Sequence, residues 1–165
     1  GPGYEEGSEL TPVISQNQLD KVEGYARSGI QAGAEAVHRG KRVNREGYFM
    51  EATVLDKVTQ DMTVAREEIF GPVLSVLEYE EPEEAIHIAN DTDYGLGAGV
   101  FTKDLDKASW TASKLESGQV YVNKWFTGSL ATPFGGYKQS GYSREKGQQA
   151  LNAYLQIKNV GISLS

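Results

Sequence analysis

Helix-period and strand-period stretches alternate along the 165 residues, which predicts an α/β fold with an open, largely parallel sheet flanked by helices. Two further observations narrow that expectation. A chain of this length buries enough apolar surface for an ordinary core. With no cysteine, these residues contain no disulfide framework, no thiolate metal site and no cysteine nucleophile.

The elements follow in order. Ser15 with Gln18 forms a capping-box pattern, and Leu19, Val22, Tyr25, Ala26 and Ile30 recur at helical spacing, so 15–33 is predicted as an amphipathic helix. Residues 36–39 read as a short strand, 48–58 are rich in β-branched and aromatic types, and 72–79 (PVLSVLEY) read as the clearest buried strand. Pro82 followed by Glu83 and Glu84 opens a helix over 82–91. A strand is expected at 97–102, a helix capped by Asp104 running to 115, and a strand at 119–123. Residues 124–142, with Trp125, Phe126 and several glycines, fit neither period and are long for a connection. A short helix over 143–152 and a closing strand over 154–165 complete the reading.

Charge and hydropathy exclude several functions. A net charge of −7 and a pI near 4.9 lack the basic footprint that nucleic acid or an anionic membrane surface requires, so neither partner is expected. Mean hydropathy is −0.46 and no apolar run reaches transmembrane or signal-core length, which reads as a cytoplasmic chain.

Familiar motifs mostly fail on inspection. Gly95, Gly97 and Gly99 lie after a helix and before a strand, the reverse of the dinucleotide fingerprint. Gly136 and Gly141 have phosphate-loop spacing, but Tyr142 stands where the lysine must be. Asp91–Gly95 opens like a calcium loop, yet Gly95 and Thr102 occupy ligand positions. The stretch around Ser143 is one glycine short of a nucleophile elbow, and neither His38 nor His87 is placed to partner it.

Two patches remain. In 66–72, adjacent Glu67 and Glu68 on an extended segment point to opposite sides, so one can be solvated while the other faces a cleft and accepts two hydroxyls of a sugar diol. The plain alternative is a surface acid pair flanking a strand. Residues 133–141, with Arg144 and Glu145 behind them, combine glycines with the aromatics Trp125, Phe126 and Phe134, a composition suited to a binding wall or to a tight turn.

These segments carry a resemblance. EEIFGPV at 67–73, YGLGAGVFT at 94–102, VYVN at 120–123 and PFGGYKQSG at 133–141, in that order and spacing, resemble the C-terminal part of the NAD(P)-dependent aldehyde dehydrogenase superfamily. The resemblance implies a partial catalytic domain over 1–152 and an oligomerisation strand over 153–165. It also implies a missing N-terminal half that carries the NAD-binding fold, the cysteine nucleophile and the general-base glutamate. The activity implied is oxidation of an aldehyde to a carboxylic acid with NAD or NADP, in a homo-oligomer, dimer or tetramer, and this chain alone is expected to be inactive.

Residue by residue, the resemblance places Glu68 on the nicotinamide ribose, Phe70 as the aromatic packed near it, and Leu96 at the nicotinamide end. Gln18 and Lys21 match positions reaching the adenosine ribose. Phe134 matches a wall of the substrate tunnel, residues 124–132 the loop at its mouth, and Glu145 a proton relay. The carbonyls of Lys138 and Gly141 match a potassium site. Two other readings of the chain stand beside this one: a non-catalytic oligomerisation module and an independent nucleotide-binding module.

Overall fold

Helix α1 (Gln16–Ala32) starts where extended Ser15 accepts a hydrogen bond from the Gln18 amide at 3.2 Å, and it ends at Gly33. In the computed structural model, which describes residues 1–164, α1 belongs to the first of two units, Gly1–Glu80 and Glu81–Ser165. Only half of the expected capping box forms: the Gln18 side chain turns away from Ser15 and reaches a distant loop.

The first unit continues with β1 (Glu35–His38), β2 (Thr53–Asp56), the single-turn helix α2 (Thr63–Arg66) and β3 (Val73–Ser75). Their sheet has the order β1-β2-β3, antiparallel between β1 and β2 and parallel between β2 and β3. The spacing that predicts the α1 stripe also builds the core: Leu19 and Val22 pack with Leu55 of β2, Val64 of α2 and Ile69. Leu55 and Val22 are wholly buried.

The long buried strand expected at 72–79 shrinks to the three residues of β3, where Leu74 is 59% exposed. An apolar run reports hydrophobicity but not which element will cover it, and among the described residues β3 pairs on one side only.

In the second unit, α3 (Pro82–Asn90) begins at the expected proline and acids. It is followed by β4 (Tyr94–Gly95), β5 (Gly97–Val100), α4 (Leu105–Lys114), β6 (Gln119–Val122), β7 (Tyr137–Lys138) and a 3₁₀ helix at Gln148–Tyr154. The Asp104 carboxylate caps α4 by accepting from the Lys107 amide at 3.0 Å. Strands β5 and β6 pair in parallel around α4, whereas β4 and β7 form a short antiparallel ladder.

The described strands thus form three short open sheets, with parallel pairing between β2 and β3 in the first unit and between β5 and β6 in the second, and antiparallel pairs beside them. Two expectations near the C-terminus change. The helix expected over 143–152 is the later, tighter 3₁₀ turn. Residues 155–164 are exposed and form no strand, because a strand needs a ladder partner and no described residue pairs with them; Ser165 lies outside the described residues.

An ion-pair cluster ties the segment around Arg42 to α1. The Arg42 guanidinium bonds Asp20 and also Glu23, the latter at 2.6 and 2.8 Å. Arg42 holds the Asp20 carboxyl below its ordinary value.

Two outcomes follow from this packing. Leu55→Ala should destabilise the first unit by about 2–5 kcal/mol, read from the shift in urea midpoint. The Asp20–Arg42 pair stabilises the fold above the unfolded carboxyl pKa, near 3.8, and that contribution is lost as pH falls through the lowered folded value. Arg42→Met should then flatten the change in urea midpoint between roughly pH 6 and pH 3.

Candidate functional site

In the first unit the candidate site is the segment Glu67–Gly71, held by one stripe of α1. Positions 18, 22 and 25 follow one another at helical spacing and face it together. The Gln18 amide nitrogen donates to the Ile69 carbonyl at 3.1 Å and to the Phe70 carbonyl at 3.0 Å. Val22 lies against Gly71 so closely that a Cβ there would collide with its methyl groups. The Tyr25 hydroxyl donates to Glu67 Oε2 at 2.6 Å.

Within this grip the backbone is strained: Phe70 adopts φ 54°, a left-handed conformation that costs a non-glycine residue on the order of 1–3 kcal/mol. Ile69 is buried, and its two neighbours Glu68 and Phe70 are exposed, Phe70 by 72%. The two acids thus divide as the extended geometry requires. Glu67 is engaged by Tyr25, while the Glu68 carboxylate has no hydrogen bond or ion pair among the described residues. An ionised carboxylate is acceptor-only, and its two oxygens suit the paired hydroxyls of a ribose.

Beside Phe70 lies a largely apolar groove of about 630 Å³, lined by residues 9–14 with Gln18 and 70–72. Lys21 is exposed, with its ammonium 5.6 Å from the centre of the Tyr25 ring. Both N–H bonds of Gln18 are committed to carbonyls, which leaves only its Oε1 for any other partner.

The second unit assembles the aromatic wall. Phe134 and Glu145 form an isolated antiparallel bridge, each amide donating to the other's carbonyl at 2.7 Å. The Lys146 ammonium sits 5.2 Å from the Phe134 ring centre. The Glu145 side chain is exposed and unpartnered among the described residues. Gln119 Nε2 donates to the Pro133 carbonyl at 3.0 Å, and Gly118 approaches Gly135 so closely that any side chain would strike its carbonyl oxygen.

Trp125 packs edge-on to buried Tyr121 at 5.6 Å, with Phe126 at 6.0 Å from the same ring; both outer rings stay largely open. Leu96 is anchored through its carbonyl, which accepts the Gln119 amide at 3.0 Å, while its side chain is partly exposed.

Lys138 is held firmly: its ammonium donates to the Asn90 carbonyl at 2.6 Å and pairs with Glu116 at 2.8 Å. Its own carbonyl accepts the Gly141 amide at 3.2 Å. Arg144 Nη1 donates to the Gly136 and Ser143 carbonyls, both at 2.9 Å. The Lys138 carbonyl, one of the two that the resemblance assigns to potassium, accepts the Gly141 amide, and the turn lies beside the fixed Lys138 ammonium and Arg144 guanidinium.

The structure thus gathers Gln18, Lys21, Glu68 and Phe70 in one unit and Leu96, Phe134, Lys138, Gly141 and Glu145 in the other. The sequence gives no site role to three residues that hold them, Tyr25, Gln119 and Asn90, and marks Arg144 only as lying behind the 133–141 patch. Tyr25 was visible only as part of an apolar stripe, and its partner lies 42 residues away. Gln119 reaches 14 residues along the chain, a separation that leaves no local pattern.

Comparison with known proteins identifies the family to which this fold belongs. The profile described as "Aldehyde dehydrogenase family" matches residues 1–160. The chain is 46% identical over 165 residues to the mitochondrial aldehyde dehydrogenase family 2 member B4 of Arabidopsis thaliana, covering all of this chain and 31% of that protein. Among solved structures, the NAD+ complex of an aldehyde dehydrogenase from Bacillus cereus superposes with a TM-score of 0.90 at 41% identity, over 98% of this chain and 33% of that one. An NAD-dependent aldehyde dehydrogenase from Sinorhizobium meliloti gives 0.92 at 38%, over 97% and 32%. The chain spans about a third of the length of these relatives. Several motifs in register, a matched fold and a profile over nearly every residue lead to one conclusion: the chain belongs to the aldehyde dehydrogenase family.

Proposed function

We propose that this chain is the segment of an NAD(P)-dependent aldehyde dehydrogenase that clamps the nicotinamide ribose and walls the substrate tunnel. The observation that carries the reading is the Glu67–Gly71 grip, in which every neighbour of Glu68 is engaged and its carboxylate is left open on a fixed backbone. That arrangement fits a ribose diol, since the acceptor is preorganised and no internal partner has to be released. The nicotinamide cofactor supplies the acceptor for the hydride leaving the aldehyde carbon. NAD is favoured over NADP, in keeping with the NAD+ complex among the similar structures.

In this reading Glu68 orients the ribose and Phe70 offers a ring face to the nicotinamide. Leu96 excludes water at the nicotinamide end. Phe134, with Trp125 and Phe126 in the loop 124–132, presents apolar surface to the aldehyde. Glu145, tied by its backbone to Phe134, places a carboxylate next to that wall where it can hold or pass a proton. The nucleophile, the general base and the nucleotide fold belong to a region outside these residues, and the isolated chain is inactive.

Oligomer formation belongs to the same reading. Residues 153–165 present Leu155, Ile157, Val160, Ile162 and Leu164 to solvent, an apolar set that a strand of a second subunit would cover.

In the full-length enzyme, Glu68→Gln should raise the NAD dissociation constant about tenfold, measured by fluorescence titration, because one charge-assisted contact is weakened. NADH production from aldehydes by the purified 165-residue chain, free of other enzyme, would sink the proposal. Deleting residues 153–165 should shift the full-length protein to a smaller species in sedimentation velocity; an unchanged assembly rejects the oligomerisation role.

A further inference from the structure

We infer that Gln18 is a positioning residue, which pins the turn at Phe70 and so aims Glu68 and Phe70; the aiming rests on the ribose-clamp reading above. In an extended chain successive carbonyls point to opposite sides. One amide group can reach the carbonyls of Ile69 and Phe70 together only if the chain turns between them. The left-handed backbone of Phe70, at φ 54°, makes that turn.

The pin and the turn are therefore mutually dependent. Phe70 alone disfavours the left-handed state. The Gln18 amide recovers it by donating both hydrogens to groups that come together only in that state.

The neighbouring contacts act on either side of the turn. Tyr25 holds Glu67 on one side, and Val22 seats Gly71 on the other, whereas the two carbonyls that converge at the turn both accept from Gln18. Phe70 is largely exposed, so side-chain packing cannot supply the restraint. Gln18 also has a side-chain role open to it elsewhere, as the third residue of a capping box over Ser15, and the structure shows the amide committed to the turn in its place. Glu68 sits one residue before the pinned pair, so a loosened turn would let its carboxylate swing without breaking any bond of its own.

The test uses the full-length enzyme with Gln18→Met, which keeps the side-chain length and removes both donors. Hydrogen exchange across residues 67–73 should quicken about tenfold or more, while peptides from 82–122 keep their rates. The KM for NAD should rise about fivefold, with the KM for aldehyde unchanged. A side chain that only added bulk stability would move neither quantity selectively. Gln18→Asn, which withdraws the amide by one methylene, gives the same readouts if Gln18→Met does not fold. Unchanged exchange in 67–73 overturns the pin. Faster exchange with an unmoved KM for NAD, in an enzyme where Glu68→Gln does raise it, overturns the aiming and leaves the ribose reading standing. Cofactor affinity unmoved by Glu68→Gln overturns the ribose reading, and the aiming falls with it, whereas the exchange rates still decide whether the pin exists.

Discussion

One stripe of a single helix, Gln18, Val22 and Tyr25, holds the Glu67–Gly71 segment by three different kinds of contact: paired amide bonds, a glycine-tight close approach and a phenol–carboxylate bond. The stripe is rigid because its other members, Leu19 and Ala26 with Val22 itself, are buried in the core. Core packing and site geometry in the first unit are therefore consequences of the same helical period. The strained turn at Phe70 accepts the Gln18 amide bonds, and core packing fixes the helix that presents them.

The second unit obeys a related rule. Side chains with several donors, Gln119, Lys138 and Arg144, are spent on backbone carbonyls of the loop from Pro133 to Ser143 and of Asn90. Asn90 in turn accepts the Glu116 amide and donates to the Lys114 carbonyl, closing the end of α4. A long glycine-containing loop has few ladder bonds of its own, so these side chains satisfy and order its backbone. What they leave open are groups suited to ligand contact: the rings of Trp125 and Phe126 and the carboxylate of Glu145, with Phe134 half-buried beneath the Lys146 ammonium.

Local signals were read well where the physics is local. Ser15 caps α1, Asp104 caps α4 and Pro82 opens α3, since each depends on groups within one turn. The reading failed where coverage by another element decides the outcome. The apolar run at 72–79 became three residues of strand, and 155–164 stayed unpaired among the described residues, because a strand is defined by its partner and not by its own residues. The division of labour between Glu67 and Glu68 was half visible: alternation along an extended chain separates them, but only Tyr25, brought from 42 residues away, determines which one is engaged.

The family and the helix starts were settled by residue types and their spacing, since each depends on identity at a fixed offset. Which donor serves which acceptor was decided only by the folded chain. Gln18 reads as a capping residue or a ligand contact until α1 lies over Phe70, and then its two hydrogens are already taken. Hydrogen bonds between residues 51 and 52 positions apart follow from how helices and loops pack, and no pattern along the chain encodes that distance.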